Sequence, residues 1–174
     1  MFSISMEQIL TEAELVRKCK DLLSQDWDIW EEVDGYNPRT KERRRIDLII
    51  RHKERHNFCF GVECKRPNLD SYGKYTDWLK QMIVYTQVEW GKHGRRLPIM
   101  ACPSIVGSND ECAYYALRRL AGKFGLGEIT FEKHYQGTKD VVKIKMSDVT
   151  IWSTETGFNE QQKNRDFTKI IMSL

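Results

Sequence analysis

The chain has 174 residues, 40% of them hydrophobic, and its 28 Lys and Arg against 25 Asp and Glu leave a formal net charge of +3. That length fills one hydrophobic core well and two poorly, so a single domain over residues 1–174 is expected. Five irregularly spaced cysteines do not make a disulfide framework, and no uncharged run approaches the roughly 20 apolar residues that span a bilayer. With no basic, apolar leader at "MFSISMEQIL", a soluble cytoplasmic chain without a membrane partner is expected.

The first predicted element is an amphipathic helix from about Met6 to Ser24, where Ile9, Leu15, Val16, Cys19, Leu22 and Leu23 recur at helical spacing. "WDIWEEV" reads as a strand. "RIDLIIRHKERHNFCFGVECKRP", from Arg45 to Pro67, supplies two more around a charged turn. "DSYGKYTDWLKQMIVYTQVEW" reads as a second helix with the stripe Leu79, Ile83, Thr86 and Trp90, and the short apolar "RLPIMACP" as a buried strand. A third helix, "NDECAYYALRRLAGKFG", is opened by an Asn-Asp cap and closed by Gly125. "GEITFEKHY" and "VVKIKMSDVTIWS" then alternate as strands around the turn "QGTKD", and a polar helix ends the chain. The expectation is an α/β domain with a mixed central sheet flanked by helices. Its core covers about 6–103, with a helix-hairpin-helix extension over about 104–174.

The acids of the third segment stand out against this pattern. If its strands form a hairpin turning near "KERHN", Asp47 falls opposite Glu63 and Arg45 opposite Lys65. Alternation then places Ile46, Leu48, Ile50, Phe58, Phe60, Val62 and Cys64 on one face, and Asp47, Glu63 and Lys65 on the other. Two adjacent carboxylates raise each other's pKa unless a cation lies between them, and hard oxygen ligands suit magnesium or manganese. The first helix adds Glu12, which falls near the centre of the apolar stripe while Glu7 and Glu14 point away. A glutamate there needs a metal or a lysine as partner. Basic residues cluster in "KERRR", "RHKERH" and "KHGRR", a distribution that suits a polyanion. Zinc is not expected, because Cys59 and Cys64 face opposite sides of one strand and cannot converge with His52 and His56. Trp27, Trp30, Trp78, Trp90 and Trp152 read as core residues, with base stacking the alternative.

Glu12, then Asp47 in "RID", then Glu63 and Lys65 in "VECK", in the order helix, strand, strand, resemble the PD-(D/E)xK nuclease superfamily, whose common core is αβββαβ. The resemblance covers Met6 to about Pro103. "TEAELV" and the spacing to the acids are similar to archaeal-type Holliday junction resolvases and to nuclease domains of type I restriction enzymes. "QMIVY", with Gln81 and Tyr85 on one helical face, resembles the QxxxY motif of RecB-like and Cas4-like nucleases. Ile46 stands where the family name has proline.

The resemblance implies a restriction-endonuclease-like fold and a phosphodiesterase dependent on Mg2+ or Mn2+, acting on nucleic acid, with DNA favoured over RNA and the choice between them left open. Asp47, Glu63 and the main-chain carbonyl of Cys64 would hold the metal, with Glu12 completing its shell directly or through water. Lys65 would position the attacking water, and Gln81 and Tyr85 would contact the phosphate or orient Lys65. Arg43, Arg44, Arg45, Arg51, Lys53 and Arg55 would contact phosphates. No iron-sulfur cluster is expected, since Cys102 and Cys112 have no further cysteine after them. A homodimer, a junction resolvase, a restriction-type endonuclease and a non-cleaving binding protein on the same fold are left open.

Overall fold

The computed structural model describes residues 11–65, 72–103, 111–133, 140–147, 149–159 and 161, with backbone alone at 72–76, 111–115 and 133. Helix α1 spans Glu12–Leu23 and begins at a capping box: Thr11 Oγ1 accepts from Glu14 N at 3.2 Å, and Glu14 Oε2 accepts from Thr11 N at 2.7 Å. Thr11 is extended, so the helix starts at Glu12, later than the periodicity suggests; residues 6–10 of the expected helix lie outside the described residues. Strands β1 (Trp27–Tyr36), β2 (Arg43–His52) and β3 (Cys59–Cys64) follow, then α2 (Tyr72–Tyr85) and β4 (Ile99–Cys102). The second half contains α3 (Glu111–Lys123), β5 (Leu126–Lys133), β6 (Asp140–Met146), β7 (Val149–Ser153) and β8 (Gly157–Phe158).

All eight strands form one mixed sheet in sequence order. The β3–β4 and β4–β5 pairs are parallel and the others antiparallel. Parallel neighbours need a long crossover, which α2 and α3 provide, whereas antiparallel neighbours need only short turns. The hairpin of the second half belongs to the same sheet as the first half, because β5 continues the sheet from β4. The expected strand from Val141 to Ser153 is broken by Ser147, whose φ of 50° turns the chain between β6 and β7. The Asn-Asp cap and most of the terminal helix lie outside the described residues.

Two apolar layers sandwich the sheet. On one face α1 inserts Leu15, Cys19 and Leu23 against Leu48, Ile50, Phe60, Val62, Ile129, Ile144 and Trp152. The sheet curls round this helix: Trp27 of β1 meets Trp152 of β7 edge-on at 5.4 Å, and Phe158 of β8 lies 4.7 Å from His52 of β2. On the other face Met82 and Tyr85 of α2 and Ala121 of α3 pack with Ile49, Cys59, Ile99, Ala101 and Leu126. Helix α2 stops at Tyr85 because its last bonds tighten, Gln87 N to Val84 O and Val88 N to Tyr85 O. Trp90 is consequently off the helix, and it packs edge-on against Tyr85 at 5.6 Å. All five tryptophans belong to the two layers, with Trp30 and Trp78 half-buried at the margin of the second. No helix among the described residues is long and apolar enough to cross a membrane.

Gly127 joins the two halves of the sheet. A Cβ there would sit 2.4 Å from the carbonyl oxygen of Lys145 and 2.5 Å from Met100 Sδ. Gly127→Ala is expected to destabilise the chain by about 1–3 kcal/mol in urea unfolding, the scale of an overpacked core. Unchanged stability would contradict this apposition of β5 and β6.

Candidate active site

The site begins where β2 and β3 part. Their register pairs Leu48 with Val62, Ile49 with Gly61, Ile50 with Phe60 and Arg51 with Cys59. Continued by one step, it sets Asp47 opposite Glu63, as the sequence suggests. There the main-chain ladder gives way to a side chain: Cys64 N donates to Asp47 Oδ2 at 2.7 Å. On the other side of Asp47, between the pairs Glu31–Leu48 and Val33–Ile46, Glu32 has a φ of 45°, an interruption of the pleat that re-aims neighbouring side chains. Ile46 in consequence leaves the expected face and packs with Ile49 and Ile99, where a Cβ on Gly61 would meet its Cδ1 at 2.6 Å.

Glu63 lies beside Asp47 with 3% of its surface exposed. Its Oε1 accepts from Gln81 Nε2 at 2.8 Å and lies 3.4 Å from Lys65 Nζ. Gln81 Nε2 also donates to the Tyr85 hydroxyl at 2.7 Å, and that hydroxyl donates to the Arg45 carbonyl at 2.8 Å. Gln81 and Tyr85 thus join α2 to both strands of the site. Glu12 is not the buried centre of a stripe. It occupies the first turn of α1, exposed, because the helix starts there, and its Oε2 lies 3.7 Å from Lys65 Nζ. Its partner is the lysine that directly follows β3, an interior strand.

Burial, and after it the charge of Asp47, pushes the Glu63 carboxyl up to about 8 from 4.5, with Lys65 opposing. Asp47 is also raised, first by burial, while the Cys64 N–H pulls it down. Burial lowers Lys65, but the carboxylates of Glu63, Glu12 and Asp47 outweigh it, and the ammonium is held above its usual range. Burial raises the Tyr85 phenol. The hydrogen bonds from Cys64 N and Gln81 Nε2 fall on Asp47 Oδ2 and Glu63 Oε1. Two adjacent acids driven toward neutrality form a donor set that a hard divalent cation would satisfy. Glu12, Asp47 and Glu63 do not all lie within 4.8 Å of one another, so Glu12 fits a role through Lys65 or water.

The basic residues divide. Arg43 and Arg45 are exposed at the start of β2, where Arg45 Nη1 lies 3.3 Å from Glu32 and Arg44 meets Glu42 at 2.6 Å. At the far end of a strand about 30 Å long, Arg51 donates to the His93 carbonyl under Trp30, Lys53 donates to the carbonyls of Ser24 and Gln25, and Arg55 stacks on Phe158. These three hold the fold together away from the acids. Arg39, which lies outside the basic clusters of the sequence, and Lys41, the first residue of "KERRR", are exposed on the β1–β2 turn. The end of β1 beside that turn is joined to the segment Glu89–Arg95 by paired backbone bonds between Tyr36 and Glu89. Lysines and arginines round one turn were the available signal. His52 takes the Glu54 and Arg55 N–H groups on Nδ1 and packs on Trp27. Cys59 and Cys64 lie in opposite layers.

No family model matches the chain, and no curated protein or solved structure matches it.

The Glu63 shift has a definite sign. A carboxyl whose folded value lies near 8 keeps a proton that the unfolded chain releases above about 4.5, so its stabilising share is full below the lower value and is lost as pH rises through the upper. In chelator, the melting temperature should fall from about pH 5 to about pH 9, and Glu63→Gln should flatten that fall. An equal slope in the variant would contradict the shift.

Proposed function

We propose that the chain is a divalent-metal-dependent nuclease of PD-(D/E)xK type that hydrolyses phosphodiester bonds in nucleic acid, DNA rather than RNA. The observation that carries this reading is the buried Glu63 carboxyl, set beside Asp47 and tied to both Lys65 and Gln81. The element order α1, β1, β2, β3, α2, β4 agrees with the αβββαβ core of that superfamily and supports a restriction-endonuclease-like fold. The hydrogen bond from Gln81 to Glu63 favours the RecB-like branch over the resolvase and restriction-type readings, since it gives the QxxxY pair a task at the acids.

Asp47 Oδ1, Glu63 Oε2 and the Cys64 carbonyl would hold Mg2+ or Mn2+. Such an ion polarises a phosphoryl oxygen and lowers the pKa of water. Lys65, aimed by Glu63 and Glu12, would hold the attacking water and offset charge that builds on the phosphate. Gln81 and Tyr85 are positioning residues. Gln81 already donates to Glu63 and Tyr85, and so fixes the orientation of the Glu63 carboxylate. Tyr85 fixes α2 to the backbone two residues before Asp47. The exposed cations of the β1–β2 turn would take phosphates along the substrate.

Cleavage of labelled DNA should require Mg2+ or Mn2+ and vanish in Asp47→Ala, Glu63→Ala and Lys65→Ala with the circular dichroism retained. Gln81→Ala should lower kcat by about one to three orders of magnitude, and Tyr85→Phe by less. Undiminished cutting in excess chelator would sink the proposal. Neutralising Arg39, Lys41 and Arg43 together should weaken DNA binding irrespective of sequence. It should also flatten the salt dependence by about one unit of slope for each phosphate that is no longer neutralised. Neutralising Lys53 and Arg55 should leave that slope alone, and the opposite pattern would place the substrate at the other end of β2.

A further inference from the structure

Three cysteines far apart in sequence meet beneath the sheet. Cys64 of β3 and Cys102 of β4 are partners in the parallel register, and Cys19 of α1 lies over them with its Sγ 3.3 Å from that of Cys102. The three sulfurs lie within 4.8 Å of one another, all three residues are fully buried, and all are free thiols. Buried cysteines ordinarily act as small apolar residues scattered through a core. Here two strands and a helix turn their thiols onto one another, although nothing in the sequence around Cys102 sets it apart from an ordinary core residue.

We infer that Cys19, Cys64 and Cys102 form a closed, three-coordinate site for a soft, thiophilic cation of the copper(I) kind. Sulfurs with one edge of 3.3 Å and none above 4.8 Å lie on a circle of radius at most about 2.6 Å, and metal–thiolate bonds of about 2.3 Å would reach all three with small shifts. Structural zinc takes four ligands, but no fourth His, Cys, Asp or Glu joins this group among the described residues. A dry set of three thiolates suits copper(I). Binding releases thiol protons. The ion would pin α1, which carries Glu12, to the two parallel strands. The two sites share the backbone of Cys64, whose N–H donates to Asp47, but no sulfur of the thiol site is a ligand proposed for the divalent ion.

The reduced, full-length chain, kept anaerobic, is titrated against a coloured copper(I)–bicinchoninate complex. It should withdraw one copper(I) per chain and show a sulfur-only shell at about 2.3 Å by X-ray absorption. Its melting temperature should rise. Alkylation of the folded chain, mapped by mass spectrometry with and without copper(I), should slow at Cys19, Cys64 and Cys102 on adding the metal and stay the same at Cys59, which tests the site without any substitution. Cys19→Ala and Cys102→Ala should then leave the copper on the chelator, whereas Cys59→Ala should take it up as the parent does. Copper retained by the chelator, or protection falling on other cysteines, would overturn the inference. So would uptake of zinc(II) in place of copper(I) with a four-ligand shell.

Discussion

The structure turns on the burial of two carboxylates side by side at the point where β2 and β3 separate. Asp47 and Glu63 repel each other and are both desolvated, so each needs compensation from the protein. Asp47 takes the Cys64 N–H in place of a main-chain acceptor, and this ends the ladder. Glu63 takes Gln81 and lies beside Lys65, which sets where α2 packs on the sheet. The break in the pleat moves Ile46 to the second layer, and Tyr85, joined to Arg45 and backed by Trp90, closes the gap that the splay leaves.

The second half of the chain contributes rigidity. Strand β3 is buried along its whole length, and β4 to β8 extend the sheet beyond it and curl it round α1. A site residue on an interior strand with packing on both faces is held more closely than one on a loop. The polar end of the arrangement is the β1–β2 turn and the neighbouring Glu89–Arg95 segment. There Lys41 lies 5.9 Å over the Tyr36 ring, and most cations remain in solvent. Structural rigidity and surface charge are thereby divided between opposite ends of β2.

What the sequence disclosed follows from how local each feature is. The β2–β3 register was legible because a hairpin with a short turn leaves few alternatives, and Gln81 and Tyr85 because a helix brings residues four apart together. The face of Ile46 was not, because strict alternation cannot register a ladder interrupted by a side chain. Glu12 was misplaced by counting periodicity through the helix start, although Thr11 and Glu14 form the Thr-x-x-Glu pattern of a capping box. The end of α2 was set by tightened turns after Val84 rather than by any Gly or Pro. Arg51, Lys53 and Arg55 resembled a basic patch because composition does not tell a solvated cation from one that caps carbonyls. The meeting of Cys19, Cys64 and Cys102 depends on the parallel pairing of β3 and β4, a pairing between residues 38 apart that no local pattern encodes.

The central claim is that Glu63 is a proton-bearing acid that becomes a ligand when a divalent ion arrives. Calorimetric titration of Mn2+ into the nucleic-acid-free chain near pH 7, repeated in buffers of different ionisation enthalpy, measures the protons released on binding. With the Glu63 carboxyl held up to about 8, close to one proton should leave per Mn2+ bound, and Glu63→Gln should abolish that release. Mn2+ binding without proton release, or the same release from the Gln variant, would contradict the account.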